Sequence, residues 1–178
     1  MSTPPLTLQI SANEQRVYNA QLGEELEYQI KFVNNTEVDF FGLTVSAKLD
    51  GSMFDLNSMQ SNGFFNSATR LITWNASVSP LLNHLAPHQE GAVNFRVKIK
   101  NSFPSGGIGV KDSIVKVSAE AETPTIPPGF DLDRLSVGSE LVAKIVSLPS
   151  LGQSVFRSDA IFGSNGPMPP RSGQKTTY

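Results

Sequence analysis

Strict alternation of apolar and polar residues constrains the fold of this chain more than any other feature. In ELEYQIKFVN (25–34) the apolar residues occupy every second position, at Leu26, Tyr28, Ile30 and Phe32. LTVSAKLD (43–50) and AVNFRVKIK (92–100) have the same period of two. This period predicts strands with one face buried and the other face in water, as in antiparallel sheets.

Further strands are predicted where shorter apolar runs are bounded by turn residues. These runs are LTLQIS (6–11), the stretches around Met53–Leu56 and Phe64–Phe65, RLITWN (70–75) and DSIVKVSAEA (112–121), and they are separated by Gly, Asn, Pro and Ser. Helical spacing is confined to SPLLNHLAP (79–87), which ends at a proline. Short strands spaced by roughly ten residues predict an all-β, immunoglobulin-like antiparallel β-sandwich of about seven or eight strands.

The character of the sequence changes near residue 123, and this change predicts the domain boundaries. Residues 4–122 carry the predicted sandwich. Residues 123–138 include TPTIPPGFDLDR, whose prolines disfavour both a helix and a central strand, so a linker or an edge crossing is expected there. Residues 139–178 are expected to be a C-terminal extension with further strands, which either complete the first sandwich or start a second repeat.

Composition argues against several classes of function. The chain has 14 basic and 16 acidic residues without a basic cluster, so no nucleic-acid partner is expected. It has no cysteine, which removes disulfides, thiol catalysis and thiolate metal sites. No apolar run approaches the ~20 residues that cross a bilayer, so no direct membrane insertion by this segment is expected. MSTPPLTLQI lacks the features of a signal peptide, so a targeting segment is expected outside this chain.

The two ends of the chain share a short pattern. Gly23 and Tyr28 are matched by Gly173 and Tyr178, at a separation of 150 residues in both cases. In each copy a short strand, a gap and a Gly-x-x-x-x-Tyr motif follow in the same order, as expected of a tandem array. Coincidence is the alternative, because a match at two positions recurs by chance. On the first interpretation, Tyr178 falls at a junction between repeats.

Longer stretches carry a resemblance to a known family. They are GEELEYQIKFVNNTEVDFFGLTVSAKLD (23–50), LITWN (71–75), HLAPHQEGAVNFRVKI (84–99) and SNGPMPPRSGQKTTY (164–178). These four stretches resemble the immunoglobulin-like tandem-repeat domains of unknown function in bacterial and archaeal cell-surface proteins. The resemblance covers most of the chain and involves no catalytic motif. It implies a non-catalytic stalk or adhesive module, extracellular or in the cell envelope, with neighbouring repeats of the same parent chain as partners.

Catalytic chemistry has little support in the sequence. His84 and His88 are the only histidines, and Pro87 interrupts the helix on which their spacing would aim both rings at one metal ion. Solvated loop histidines are the favoured alternative. No Gly-x-Ser-x-Gly motif is present, and spacing alone favours no carboxylate pair for glycoside cleavage. The chain is therefore predicted not to be an enzyme, with no catalytic or cofactor-binding residues.

Asp131 and Asp133 in GFDLDR are weak candidates for a calcium site. Their carboxylates are the hard oxygen ligands that calcium prefers, but calcium takes about six to eight such ligands and only two are evident. A polar linker is the alternative. Apart from calcium, no metal or cofactor is expected.

Three aromatic residues are the candidate interaction residues. Phe64 and Phe65 follow an Asn-Gly turn, where exposed rings would form a contact patch. Trp74 is either a platform for sugars or, as its apolar neighbours favour, a core tryptophan. These residues leave open a carbohydrate- or protein-binding module of a larger secreted enzyme, with glycans or other surface proteins as partners. The strand-rich tail leaves open another alternative, a strand-exchanging self-assembly subunit whose tail pairs with an exposed sheet edge of the next copy.

Two stretches, NNT (34–36) and NAS (75–77), fit the acceptor sequence for N-glycosylation. The acceptors would be Asn34 and Asn75. The match matters only in a host that modifies such sites.

Overall fold

The computed structural model describes residues 3–104, 113–131 and 133–147. They contain twelve strands and one single-turn helix, α1 (Pro80–Asn83). The strands are β1 (Leu6–Ala12), β2 (Tyr18–Gln21), β3 (Glu25–Asn34), β4 (Phe40–Phe41), β5 (Thr44–Asp50), β6 (Phe54–Ser61), β7 (Phe64–Asn66), β8 (Leu71–Trp74), β9 (His84–Leu85), β10 (Glu90–Ile99), β11 (Ile114–Thr123) and β12 (Leu135–Val146).

Ten of these strands form two sheets. The four-stranded sheet has the order β1-β3-β10-β6, the six-stranded sheet has the order β2-β12-β11-β5-β8-β7, and β4 and β9 form a separate ribbon. All pairings of these strands are antiparallel except that of β2 with β12. The predicted all-β, immunoglobulin-like sandwich is therefore confirmed. The number of strands exceeds eight for two reasons. β2, β4 and β9 have only 4, 2 and 2 residues, too few to show alternation, and β12 lies beyond residue 122.

The core lies between the two sheets and follows directly from the alternation. Every second residue of β3 and β10 is buried. Tyr28 of β3 stacks on Phe95 of β10 with 4.9 Å between the ring centroids, and Trp74 of β8 lies 6.0 Å from Phe95. Because Trp74 belongs to the six-stranded sheet, these three rings join the two layers. Large buried aromatic side chains of this kind contribute much of the hydrophobic stabilisation of a domain.

The N-terminal segment contributes one strand to each sheet. β1 pairs with β3, and after a turn the chain continues as β2 in the six-stranded sheet. Asn13 and Glu14 have positive φ at this turn, and Asn13 Nδ2 donates to the Tyr18 hydroxyl at 2.8 Å. The Tyr18 hydroxyl donates to the Glu24 carboxylate, and this hydrogen bond raises the pKa of Tyr18. The network fixes the path of the chain between the sheets.

The last described strand, β12, lies between β11 and β2 in the six-stranded sheet. It pairs with β11 at ten successive positions without a register shift. The segment that connects the two strands contains Pro124, Pro127 and Pro128 and stays outside the ladder, because proline cannot donate a backbone hydrogen bond. The same sheet therefore contains strands from both ends of the described chain.

The six-stranded sheet continues beyond residue 122, where the sequence predicted the end of the sandwich. β12 includes residues 135–138, which were expected in the linker or edge crossing, because Gly138 obscures the alternation that marks a strand. Residues 139–146 belong to the same strand. Residues 148–178, with the Gly173–Tyr178 motif, lie outside the described residues, so the two alternatives for the extension as a whole stay predictions.

Candidate functional site

The three candidate interaction residues lie in different surroundings. Phe64 is 58% exposed, whereas Phe65 is partly buried and packs against the core, because successive residues of β7 point to opposite faces of the sheet. Trp74 is fully buried, and its Nε1 donates to Asn62 Oδ1 at 3.0 Å. Trp74 is thus a core residue and not a contact residue. Only Phe64 of the three presents most of its ring to a partner.

The Asn62-Gly63 turn serves the packing of Trp74 as well as the chain reversal. A Cβ atom at Gly63 would lie 2.7 Å from Trp74 Nε1, closer than such atoms approach. Glycine is therefore required because the indole ring packs directly against the backbone. Asn62 completes the arrangement by accepting the indole hydrogen bond. The Asn-Gly pair in the sequence indicates a turn but gives no sign of this contact.

His84, the first residue of β9, and His88, in the loop after β9, are paired with carboxylates of the loop between β3 and β4. His84 Nε2 is 2.6 Å from Asp39 Oδ1, and His88 Nε2 is 2.9 Å from Glu37 Oε1. The His84 ring also stacks on the exposed Phe41, with 5.0 Å between the ring centroids. These contacts tie the loop after β3 to the segment around β9. His88 thus lies in a solvated loop as the sequence predicts, whereas His84 is exposed but belongs to the two-residue strand β9.

Asn34, at the end of β3, is one of two buried polar residues among those described. Its Nδ2 lies 2.8 Å from the carbonyl oxygen of Val38 and 3.0 Å from that of Ala86, and its Oδ1 accepts hydrogen bonds from the backbone N–H and hydroxyl of Thr36. The amide thus joins two loops from inside the protein. The acceptor nitrogen of Asn34 is therefore inaccessible to glycosylation in the folded chain. Asn75, the other acceptor, is only half buried.

The two calcium candidates, Asp131 and Asp133, are both exposed. Within residues 3–104, 113–131 and 133–147, no group of three or more His, Asp or Glu side chains is arranged to hold a metal ion. Calcium coordination requires more oxygen ligands than two carboxylates supply. Calcium binding by this pair stays a prediction.

The outer face of the six-stranded sheet contains a shallow groove of about 500 Å³, here called the sheet groove. Two rows of residues across β5, β11 and β12 form it: Ser46, Glu120 and Gly138 in one row, and Lys48, Ser118 and Glu140 in the next. Phe64 of β7 lies on the extension of the first row, opposite Thr73. The lining combines small side chains with the charged side chains of Lys48, Glu120 and Glu140, so the groove presents hydrogen-bonding groups on an open face.

Glu140 on the rim of the sheet groove is held by two donors. Lys116 Nζ lies 3.2 Å and Ser118 Oγ 3.1 Å from its Oε1. The hydrogen bond from Lys116, followed by that from Ser118, lowers the pKa of Glu140. The side chain is therefore an ionised acceptor at neutral pH, which suits hydrogen bonding to a partner and does not suit general acid catalysis.

Comparison with known proteins gives a likeness of fold. No protein-family model and no curated protein matches the chain. The C-terminal domain of the antigen I/II-family protein AspA from Streptococcus pyogenes has a TM-score of 0.54 at 10% identity, over 82% of this chain and 54% of that one. The seventh ScaB type I cohesin from Pseudobacteroides cellulosolvens has a TM-score of 0.48 at 13% identity, over 81% and 95%. A CARDB domain from Pyrococcus furiosus, in complex with di-metal ions, has a TM-score of 0.45 at 11% identity, over 79% and 87%.

At such low identity the likeness to AspA shows the fold alone, and this chain spans about half the length of that structure. The similar structures carry no specific function over to this chain. No helix among the described residues is both long enough and apolar enough to cross a membrane.

Proposed function

We propose that this chain is a non-catalytic structural or adhesive module of a repetitive cell-surface protein, outside the cell or in its envelope, acting as a stalk, a spacer or a protein-interaction domain. The observation that carries the proposal is the parallel pairing of β2 with β12. Four successive residue pairs, from Tyr18–Ala143 to Gln21–Val146, join the beginning of the domain to its last described strand.

This pairing has a mechanical consequence. Tension that enters at the N-terminus loads the pairing of β1 with β3 first. It then reaches β2, which is pulled against β12 in opposite directions along their common axis. Hydrogen bonds of a parallel pair loaded in this way bear the force together, in shear, and do not open one at a time. Forced unfolding depends on the barrier to unfolding, so such a pair delays extension of the domain. A stalk or spacer benefits from this resistance.

The polar side chains of the described domain support the non-catalytic part of the proposal. His84 and His88 are engaged with exposed carboxylates of a neighbouring loop. Glu140 is fixed by Lys116 and Ser118 on an open sheet face. A catalytic site combines reactive groups in a recess that excludes water. The histidines and Glu140 instead lie on the surface, where they hold neighbouring segments together.

The test is single-molecule stretching of several copies of the chain joined head to tail, with two proline variants. Gln21 donates its N–H to the Glu24 carboxylate at 2.7 Å, away from β12. Because neighbouring residues of a strand direct their backbone groups to opposite sides, Ala20 faces β12 and Asn19 faces solvent. Ala20→Pro removes a hydrogen bond to β12, whereas Asn19→Pro removes none.

The expected result is a distinct unfolding force for each wild-type copy, a lower force for Ala20→Pro and an unchanged force for Asn19→Pro. Thermal unfolding of the monomers shows whether Ala20→Pro still folds. Equal forces in all three proteins would remove the mechanical argument. Turnover of glycosides, esters or peptides by the purified chain would overturn the non-catalytic assignment.

The exposure of Phe64 beside the sheet groove supports a second candidate function, that of a carbohydrate-binding module. Phe64 lies in the same outward row as Ser46 and Glu120 of the sheet groove, with Thr73 of β8 between the ring and the groove. A glycan that spans several strands would therefore contact both the exposed ring and the polar groups of the groove. The test is binding to a glycan array by wild type, Phe64→Ala and Phe130→Ala, because Phe130 is similarly exposed at 48% but lies on a different loop. Binding lost only in Phe64→Ala would favour this function over that of a spacer.

A further inference from the structure

Strand β12 is covered along only part of its outer side. β2 pairs with residues 143–146, and within the described part of the chain no strand is hydrogen-bonded along that side of residues 135–141, here called the free edge. β1 of the other sheet packs nearby, but its backbone pairs with β3. Gly138, at the centre of the free edge, is exposed. Backbone at the middle of this segment is therefore accessible.

The register shows which backbone groups point outwards from the free edge. Ile145 donates its N–H to the Ser113 carbonyl oxygen at 2.6 Å, so residue 145 faces β11. In an antiparallel ladder every second residue faces the partner strand. Ser136, Gly138 and Glu140 therefore direct both their N–H and their C=O groups away from β11. These three residues form an evenly spaced row of donors and acceptors.

Contacts within the domain do not explain the glycine at position 138. A Cβ atom there would lie 3.6 Å from the Ala119 carbonyl oxygen, an ordinary van der Waals contact. Gly138 is also absent from the residues with positive φ. A glycine inside a strand often accompanies a bulge, a bend or the close approach of a ligand or another backbone, and here it leaves the middle of the free edge without a side chain.

Burial is incomplete in the middle of the free edge, although Leu135 and Leu141 at its two ends are buried. The inward side chains beside β2, Ala143 and Ile145, are fully or almost fully buried. Further towards the start of the strand, Val137 and Ser139 face the same interior but are only partly buried. An additional strand along the free edge would cover them, and the burial of apolar surface favours that arrangement.

The other sheet edges in the described ranges are blunted or covered. β7 has only three residues, and the pairing of β6 with β10 is broken by a register shift between Arg96 and Lys98. At that shift Ser58 Oγ accepts the Lys98 N–H at 2.8 Å. β1, the edge strand of the four-stranded sheet, packs beside β12 of the other sheet. Short strands and bulges are the usual protection against edge-to-edge pairing, and the free edge has neither.

We propose that two copies of this chain associate through their free edges, antiparallel and related by a two-fold axis at Gly138. The inference rests on the proposed function, which it deepens by naming a second copy as the protein partner. The free edge runs from Leu135 to Leu141, so the register centred on residue 138 is the one that uses its whole length. Two-fold pairing of one surface with itself is the common form of homodimers.

In this register Gly138 of one copy faces Gly138 of the second copy, and Ser136 faces Glu140. Each of these opposed pairs exchanges two backbone hydrogen bonds, because all three residues point outwards. No like charges stand directly opposite each other. Two six-stranded sheets become one continuous sheet, and the two sheet grooves lie side by side. With about seven residues on each side, the interface is small, and the expected Kd is on the order of 100 μM.

Crosslinking tests the register directly, because the chain contains no cysteine. In Gly138→Cys the two sulfurs would lie across the axis, where hydrogen-bonded antiparallel residues have Cα atoms about 5.5 Å apart, a spacing that a disulfide spans. The full chain with this change is oxidised with a mild thiol oxidant at several concentrations. Asn19→Cys, on the outward side of β2, is the matched control. The expected result is rapid covalent dimer formation by Gly138→Cys alone.

Association without a crosslink is tested by sedimentation equilibrium from about 10 μM to 1 mM, a range around the expected Kd. Gly138→Pro removes an outward N–H and leaves the ladder with β11 intact, so it is expected to fold and to stay monomeric. Asn19→Pro and Gly138→Ala are expected to associate as wild type does. Circular dichroism and thermal unfolding confirm that each variant is folded.

Crosslinking of Gly138→Cys no faster than that of Asn19→Cys, or a wild type that stays monomeric throughout, would overturn the proposal. A monomer that binds an extended peptide along the free edge would also overturn it, since the partner would not be a second copy. Neither result touches the proposed function, which fails on enzymatic turnover or on the stretching experiment.

Discussion

The aromatic layer between the sheets and the loops that carry the histidines hold the protein together in different ways. In the layer, Tyr28, Phe95 and Trp74 are almost completely buried and contact one another. In the loops, His84 and His88 make short ion-pair contacts with exposed carboxylates. The layer makes few polar contacts and buries much surface. The histidine segments make several polar contacts and bury little surface.

The difference shows that the number of polar contacts is a poor guide to stability. Exposed ion pairs contribute about 0–1 kcal/mol each, because water and salt screen them. Burial of one large aromatic side chain contributes about 2–3 kcal/mol. Asn34, at the end of β3, shares a property with each region. Its side chain makes polar contacts with the loops, but it is as fully buried as the aromatic side chains of the layer. Substitutions in the aromatic layer, at Asn34 and at the histidines test whether burial or charge decides the loss of stability.

The largest effect is expected for Trp74→Ala. The change leaves a cavity between the sheets and removes the packing against Phe95 and Gly63, so the free energy of unfolding should fall by about 3–5 kcal/mol. Urea denaturation followed by circular dichroism measures it. Phe64→Ala is the control on the outer face, where a loss below about 0.5 kcal/mol is expected. A similar loss in both would contradict the assignment of Trp74 to the core.

Asn34→Ala tests the buried polar contact in the loops. It leaves the Val38 and Ala86 carbonyl groups without their donor, and the expected loss is about 2 kcal/mol. Asn34→Asp retains the shape but places a carboxylate against those carbonyl oxygens, so its loss at pH 7 should be at least as large. A loss in Asn34→Ala no greater than that in His88→Ala would show that burial does not decide the effect in these loops.

Tyr28→Phe tests a polar group inside the layer. The Tyr28 hydroxyl is buried, and among the described residues it has no hydrogen-bond partner, so its removal should raise the free energy of unfolding by about 1 kcal/mol. Denaturation in urea at pH 7 measures this gain. A loss of stability would indicate that the hydroxyl is hydrogen-bonded.

The same variant changes the response to alkaline pH. Burial raises the pKa of Tyr28 above its ordinary value of 10.0, so the protonated phenol is favoured in the folded state. The stability that depends on this proton is complete below pH 10 and decreases as the pH rises above 10, because the unfolded chain then ionises first. Tyr28→Phe should reduce this alkaline loss, which thermal unfolding at pH 9 to 11 measures.

The smallest effect is expected for His88→Ala. His88 and Glu37 are both largely exposed, so the free energy of unfolding should change by less than about 0.5 kcal/mol. A double-mutant cycle with Glu37→Ala isolates the pair, and its coupling should decrease further in 1 M salt. A coupling above about 2 kcal/mol would reverse the comparison between the layer and the loops.

The alternation of apolar residues predicts most of the fold. Strands such as β3 and β10 have one buried and one solvated face, and their pattern is visible without a structure. The pattern is weakest in β2, which is short, and in β12, which contains Gly138 and follows a proline-rich segment. Pairing with sequence-distant partners determines these strands, and local sequence does not encode that information.

The candidate site is predicted less completely than the fold. Two adjacent phenylalanines beside a turn suggest a patch, but the direction of each depends on where β7 begins in the sheet, so Phe65 packs inwards and Phe64 outwards. The sheet groove arises from the lateral alignment of β5, β11 and β12. The sequence indicates the residue types of the groove, and the register alone brings them together.

The position of Asn34 has a consequence for the order of events during biosynthesis. A eukaryotic secretory pathway attaches glycans to Asn-x-Thr sites, and attachment before folding would modify the very nitrogen that joins the loops from inside. Folding and sugar transfer would then compete, and a modified chain could not close its loops. Production in such a host therefore calls for Thr36→Val, which abolishes the acceptor sequence and leaves the Asn34 donors in place.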